Sequence, residues 1–403
     1  METVDCAIAG CGPAGAMLGL LLARAGLRVN VYEKHADFLR DFRGDTVHPS
    51  TLQVLDELGL AADFAQLPFR RVDSVGMQSH LGEWQFADFS RLPGRYPYIA
   101  LVPQWDFLKL VTNAARKYAG FQLHLQAEVK GLLIEDQRVV GLKFVKDGTE
   151  RGVRASLSVA ADGRSSIVRQ QGGLVPLDLG APIDVLWFRL PRIDGDPNNV
   201  AARLGEGAML VLIDRGDYWQ IAYVIAKDGF EPMRAGDIAE LQRQVVKLAP
   251  FLAGREQQIR NWDEVHLLRV QLDRLQAWHR PGLLCIGDAA HAMSPVGGVG
   301  INLAVQDAVA AANRLAGPLL EHRLDDRDLA AVQRRRELPT RLTQAAQRAV
   351  HRKLLEPMLA GAPPVPPLAL RMMAASAWGR GLAARMVGLG VRPEHVRSPQ
   401  IAE

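Results

Sequence analysis

A chain of 403 residues, 48% hydrophobic and 23% charged, has the composition of a folded globular protein with room for two or three domains, which excludes wholesale disorder. Its 48 basic and 44 acidic side chains leave a formal charge of +4, too small an excess over so large a surface for a nucleic-acid-binding protein. Cys6, Cys11 and Cys285 form no Cys-x-x-Cys or Cys/His cluster, so neither a disulfide framework nor a metal site is expected. No apolar run reaches the ~18 residues of a membrane span, and residues 1–5 lack the basic start of a leader peptide. A cytoplasmic location is the expectation.

The chain opens with a short apolar run, Cys6 to Ala9, followed at once by Gly10-Cys11-Gly12-Pro13-Ala14-Gly15. Ala16 to Ala25 is rich in strong helix formers, Gly26 ends it, and Leu27 to Tyr32 is β-prone. The unit reads as strand, tight turn, helix, strand. Gly10 makes the sharp turn, Gly12 lets the backbone approach a pyrophosphate, and Gly15 allows close helix-to-strand packing. Pro13 and Ala14 begin the helix, whose N-terminus favours phosphate. Glu33, with Lys34 beside it, follows the second strand roughly 20 residues beyond the glycines, where an acidic side chain holds ribose hydroxyls. The motif alone leaves NAD, NADP and FAD open.

Two β-rich stretches follow, at about 70–100 and 176–275. Val75 to Phe89 is a candidate hairpin. Met209 to Ile213 and Tyr218 to Ile225 form another around the turn Asp214-Arg215-Gly216-Asp217. Tyr218 and Trp219 then point to opposite faces of their strand, one towards a cavity.

Between these stretches, Ser158 to Ala161 is an apolar strand ending in Asp162-Gly163. A third strand, Leu283 to Ile286, delivers Gly287 and Asp288, and the chain continues through Pro295, Gly297, Gly298, Gly300, Ile301 and Asn302 into a helix from Leu303 to Leu319. Asp288 is placed for a ribityl hydroxyl, and the glycines let backbone N–H groups approach a flavin ring. His291, with no visible partner, reads as a packing or capping residue rather than a base. Arg334 to Glu337 reads as a solvated face. Ala360 to Pro367 is a proline-rich break, and Leu368 to Gly390 is an apolar segment packing on the main body or on a second subunit.

The three motifs in this order resemble the group A flavoprotein aromatic hydroxylases, the para-hydroxybenzoate hydroxylase family. The resemblance implies an α/β fold. Its Rossmann-like FAD-binding domain (1–70, 100–175 and 276–345) is interleaved with a β-sheet substrate domain (71–99 and 176–275), and a C-terminal helical segment occupies 346–403. It implies that Gly10, Gly12, Gly15 and Glu33 hold the ADP half of FAD, that Asp288 meets the ribityl chain, and that Asp162 and Gly163 serve FAD and the pyridine nucleotide. Arg43 is similar to the family's pyrophosphate arginine and Gln104 to its glutamine near the flavin. Pro295, on the loop leading to the flavin, is the candidate catalytic position, and Tyr218 the candidate substrate contact.

The implied reaction uses NADH or NADPH and dioxygen: reduced FAD forms a C4a-hydroperoxide that hydroxylates an aromatic or polycyclic small molecule. No second Gly-x-Gly-x-x-Gly unit follows residue 35, so the nicotinamide cofactor is expected to visit only briefly. The charged and tyrosine residues expected for a simple hydroxybenzoate have no counterpart in 176–225, which favours a larger, less charged ring system. The alternatives are a flavin-dependent reductase or dehydrogenase without oxygen insertion, and a non-catalytic flavin-binding protein. A flavin halogenase is disfavoured by the lack of a Trp-x-Trp-x-Ile-Pro motif. A homodimer is compatible with all of these.

Overall fold

The computed structural model describes residues 1–39, 46–197 and 201–401. The first strand, β1 (Glu2–Ala9), is buried over its last six residues and runs into helix α1 (Pro13–Arg24) and strand β2 (Val29–Tyr32). Strands β3 (Thr149–Ala160) and β4 (Leu283–Cys285) complete the central layer with Phe121–His124. These five strands are parallel, in the order β4, β3, β1, β2 and Phe121–His124. Among the described residues the sheet has eight strands, the others being His279–Arg280 and the hairpin Ala127–Glu135/Arg138–Lys146.

The register places the functional loops. Ala9 lies opposite both Tyr32 and Ala160, and Ala160 opposite Cys285. Four strand ends therefore stand in line and release Gly10, Glu33, Ala161-Asp162 and Ile286-Gly287 along one edge, where open α/β sheets bind their ligands. Helix α1 and a second long helix, α2 (Gly300–Leu320), share one apolar cluster on the face of this sheet. Helix α3 (Asp326–Val350) follows, its N-terminus closed by an Asp325/Asp328 capping box.

A second sheet of seven strands, among the described residues, has the order His266–Leu268, Ile183–Pro191, Tyr218–Ala226, Ala208–Asp214, Ala201–Gly205, Ser74–Ser79, Gly82–Asp88. Both hairpins expected from the sequence are present in it. Alternation gives its faces different surroundings. Leu186, Phe188, Trp219, Ile221 and Tyr223 pack with Leu241 and Val245 of the helix Ile238–Leu248. Val185, Ala222 and Val224 on the opposite face cluster with Leu354, Leu355 and Val296, the last belonging to the loop before α2.

The C-terminal segment forms helices Leu368–Ala375 and Ala377–Gly388. Ala384 is fully buried, whereas Met372 and Trp378 are 66% and 78% exposed. No helix among the described residues is long and apolar enough to cross a membrane.

Candidate active site

The glycine turn has the steric logic of a cradle. Gly10 has φ +92°, and a Cβ there would lie 2.5 Å from the Ala161 carbonyl oxygen; a Cβ at Gly15 would collide with the Gly10 carbonyl. At Gly12 a Cβ would meet nothing within 4 Å, so that face is open to a ligand. Gly12 is the N-cap of α1, Pro13 is its first residue, and neither a side-chain cap nor an acidic residue occupies the first turn. The N–H groups and positive dipole end therefore face outward, as an anion requires. Glu33, 3% exposed, accepts the Cys11 N–H through Oε2 and the His35 N–H through Oε1, both at 3.1 Å, tying the turn to the end of β2. Lys34 beside it is exposed.

Gly287 takes φ +59° and donates its N–H to Asp307 Oδ2 at 3.1 Å. Asp307 is fully buried on α2, and the same oxygen lies 2.5 Å from His291 Nε2 while Oδ1 accepts from Arg336 Nε at 2.9 Å. Burial pushes the Asp307 carboxyl up, but His291 and Arg336 outweigh it and hold the group below the usual carboxylate range. His291 is 1% exposed and belongs to this support. Arg336 is also 1% exposed, so the Arg334 to Glu337 run is not simply a solvated face: one of its arginines is drawn inward by Asp307. Asp288, next to Gly287, has its carboxylate one-third exposed and paired with Arg164 Nη2 at 3.2 Å.

The loop before α2 bends at Gly297 and Gly298, with φ +81° and +62°. The Gly298 carbonyl accepts from Thr46 Oγ1 at 2.7 Å and lies 3.0 Å from His48 Nε2, whose Nδ1 is 2.9 Å from the Val387 carbonyl. The start of α2 has no side-chain cap and no acidic residue in its first turn, and a Cβ at Gly300 would meet nothing within 4 Å. Ile301 is buried in the apolar cluster. The Asn302 side-chain amide oxygen, Oδ1, accepts from Ser50 Oγ at 2.8 Å and Thr51 Oγ1 at 2.7 Å. Pro295 is half-buried immediately upstream.

Asp162 directs its carboxylate into its own loop, accepting from Ser166 Oγ at 2.5 Å and from the Val168 N–H at 3.4 Å; burial raises its pKa despite these bonds. Gly163 takes φ +85° with open space where a Cβ would stand. Gln104 is the first residue of the helix Gln104–Ala115. Tyr218 shares the sheet face of Gln220, Ala222 and Val224, while Trp219 is fully buried on the other and donates its indole N–H to Asp196 Oδ2 at 2.8 Å. Arg169 is 5% exposed and donates to the Ala289 and Arg164 carbonyls. Arg43 lies outside the described residues. The clefts of about 520 and 370 Å3 elsewhere on the molecule are lined by none of these loops.

Two outward-facing, uncapped helix starts, open glycine positions at 12, 163 and 300, and a buried acid at the end of β2 fit FAD. Residues 3–346 match a family described as the FAD binding domain. A 6-methylpretetramide 4-monooxygenase of Streptomyces rimosus is 32% identical over 342 residues, covering 83% of this chain and 81% of that protein. In fold the chain is similar to PqsL of Pseudomonas aeruginosa, with a TM-score of 0.76 at 20% identity over 89% of this chain and 97% of that one. It is as similar to CmlS, a flavin-dependent halogenase: TM-score 0.77, 20% identity, 100% and 74% covered. Fold alone therefore does not choose the reaction; the sequence relative does. The chain belongs to this FAD-binding family, of the group A flavoprotein hydroxylase type, and is an FAD-dependent monooxygenase.

Proposed function

We infer that the chain hydroxylates an extended, largely apolar aromatic small molecule at the expense of NADH or NADPH and dioxygen. The observation that carries this reading is the alignment of four strand ends along one edge, together with Val296, on the loop leading into α2, packing against the sheet face that bears Val211, Ala222 and Val224. The Streptomyces rimosus relative, named for a pretetramide substrate, supports the polycyclic class. FAD, when bound, supplies electron transfer and oxygen activation.

The protein's own share is to bind, orient and exclude water. The start of α1 would take the pyrophosphate, Glu33 the ribose, Asp288 the ribityl chain, and the start of α2 the polar edge of the ring. Pro295 would border the ring, with Val296 closing the space beneath the sheet, and Tyr218 would contact substrate from the sheet. In this reading residues 1–70, 100–175 and 276–345 serve the cofactor, 71–99 and 176–275 the substrate, and 346–403 the closure of both. We further infer a cytoplasmic enzyme, consistent with three buried free thiols, that binds no nucleic acid, and a homodimer joined through the exposed Met372 and Trp378 face. Titrating the FAD-loaded protein with fused-ring phenols and with single-ring hydroxybenzoates tests the substrate class. Flavin difference spectra should appear with the former; spectra with hydroxybenzoates alone would overturn it.

A further inference from the structure

One face of α3 is polar where a buried helix face is ordinarily apolar. Arg336, Thr340, Gln344 and Gln347, with His351 just past the helix end, are each no more than 4% exposed. Their spacing of three or four residues puts them on one stripe. Arg336 reaches Asp307, and Gln344 Nε2 donates to the Asp273 and Ala292 carbonyls at 2.7 and 3.3 Å.

Gln347 is directed entirely at the backbone on either side of Pro295. Its Oε1 accepts the Ser294 N–H at 3.2 Å, and its Nε2 donates to the Ser294 and Val296 carbonyls at 2.9 and 2.8 Å. His351 Nε2 lies 2.8 Å from Ser294 Oγ. Pro295 has no N–H of its own, so the turn has one donor fewer with which to hold itself. The chain then enters a π-helical turn, His351–Leu355, whose Leu354 and Leu355 pack on the sheet face of Ala222 and Val224. Such turns are rare and recur at functional sites. Gln347 and His351 both lie past residue 346, where the family match ends.

A buried amide is destabilising unless its bonds are made, and a methionine would fill the same space. All three bonds of Gln347 converge on one turn, so its effect is concentrated there. We propose that Gln347, assisted by His351, is the positioning residue of the Pro295 turn and fixes where Pro295 stands relative to the flavin and the substrate space. This rests on the reading that the turn borders the flavin.

The test compares FAD-loaded Gln347→Met, Gln344→Met and Pro295→Ala with the parent protein by visible circular dichroism of the bound flavin, FAD dissociation constant and thermal midpoint. Both glutamine variants lose buried hydrogen bonds of α3, so a purely structural role lowers the midpoint and moves the flavin signals alike in both. The expected result is an altered flavin band in Gln347→Met and in Pro295→Ala, about tenfold weaker FAD in Gln347→Met, and a parental band and affinity in Gln344→Met. The same flavin band and affinity in the two glutamine variants would overturn the proposal. An unaltered band in Pro295→Ala would remove the underlying reading instead; an altered band there, with a parental one in Gln347→Met, would remove the clamp alone. Should Gln347→Met not fold, Gln347→Glu, which keeps the acceptor for Ser294 and loses the amide donor, is read the same way.

Discussion

Asp307 holds the Gly287 N–H, His291 and Arg336 at once, inside a site with no access to water. Removing it leaves buried Arg336 with only the longer 3.6 Å contact to Glu394 and buried His291 without its hydrogen-bond partner. Asp307→Ala is expected to lose ~3–5 kcal/mol of stability in urea unfolding, whereas replacing Asp307 and Arg336 together by apolar residues should recover part of it. The pH dependence follows from the sign of the shift. Because the folded carboxyl titrates below its unfolded range, its contribution is present above that range and lost as pH falls through the depressed value. Asp196 behaves alike: burial raises its pKa, but Arg255 and Trp219 outweigh that and lower it from 3.8 to about 2. Stability it lends the second sheet should fade between about pH 4 and pH 2 in acid titrations of the parent protein compared with Asp196→Asn, followed by tryptophan fluorescence. Asp288 plays a different part. Its carboxylate is partly exposed, and on the proposal that it meets the ribityl chain Asp288→Ala is expected to weaken FAD binding about tenfold or more by equilibrium dialysis while the fold persists.

The glycine turn separates fold from ligand within one element. Gly15→Ala forces a Cβ into the Gly10 carbonyl and should destabilise the apoprotein measurably in thermal unfolding. Gly12→Ala meets only open space, so the apoprotein should keep its midpoint while FAD affinity falls, the methyl occupying ligand volume. Equal loss of stability in both variants would contradict this division. The turn was legible in the sequence because its chemistry is local: glycines at fixed spacing, an apolar run before them and helix formers after. The support beneath Gly287 was not. Asp307, His291 and Arg336 come from different elements, and the stripe at 336, 340, 344, 347 and 351 has the period of any polar helix face. Periodicity reports that such residues share a side; it does not report whether that side meets water or a loop's backbone. The same limit applies to Asn302 and Asp162, whose types suggested ligand contact while their side chains hold Ser50, Thr51 and Ser166.

For the whole molecule, Val296 of the loop before α2 packs against the second sheet, and the C-terminal helices leave Met372 and Trp378 exposed. If that face joins two copies, sedimentation should give a dimer that Trp378→Asp converts to monomer without loss of bound FAD; a monomeric parent protein would remove the dimer. The strands of the second sheet were readable as β-rich stretches, but the assembly of 74–88 and 183–268 into one sheet depends on pairing such as Gly76 with Ala201, which no local pattern encodes. The most direct test of the account is anaerobic mixing of the FAD-loaded protein with NADH and with NADPH, then admission of oxygen with a panel of fused-ring phenols. One compound is expected to accelerate flavin bleaching and to be recovered heavier by one oxygen atom. Flavin reduction with no oxygenated product from any member of the panel would contradict it.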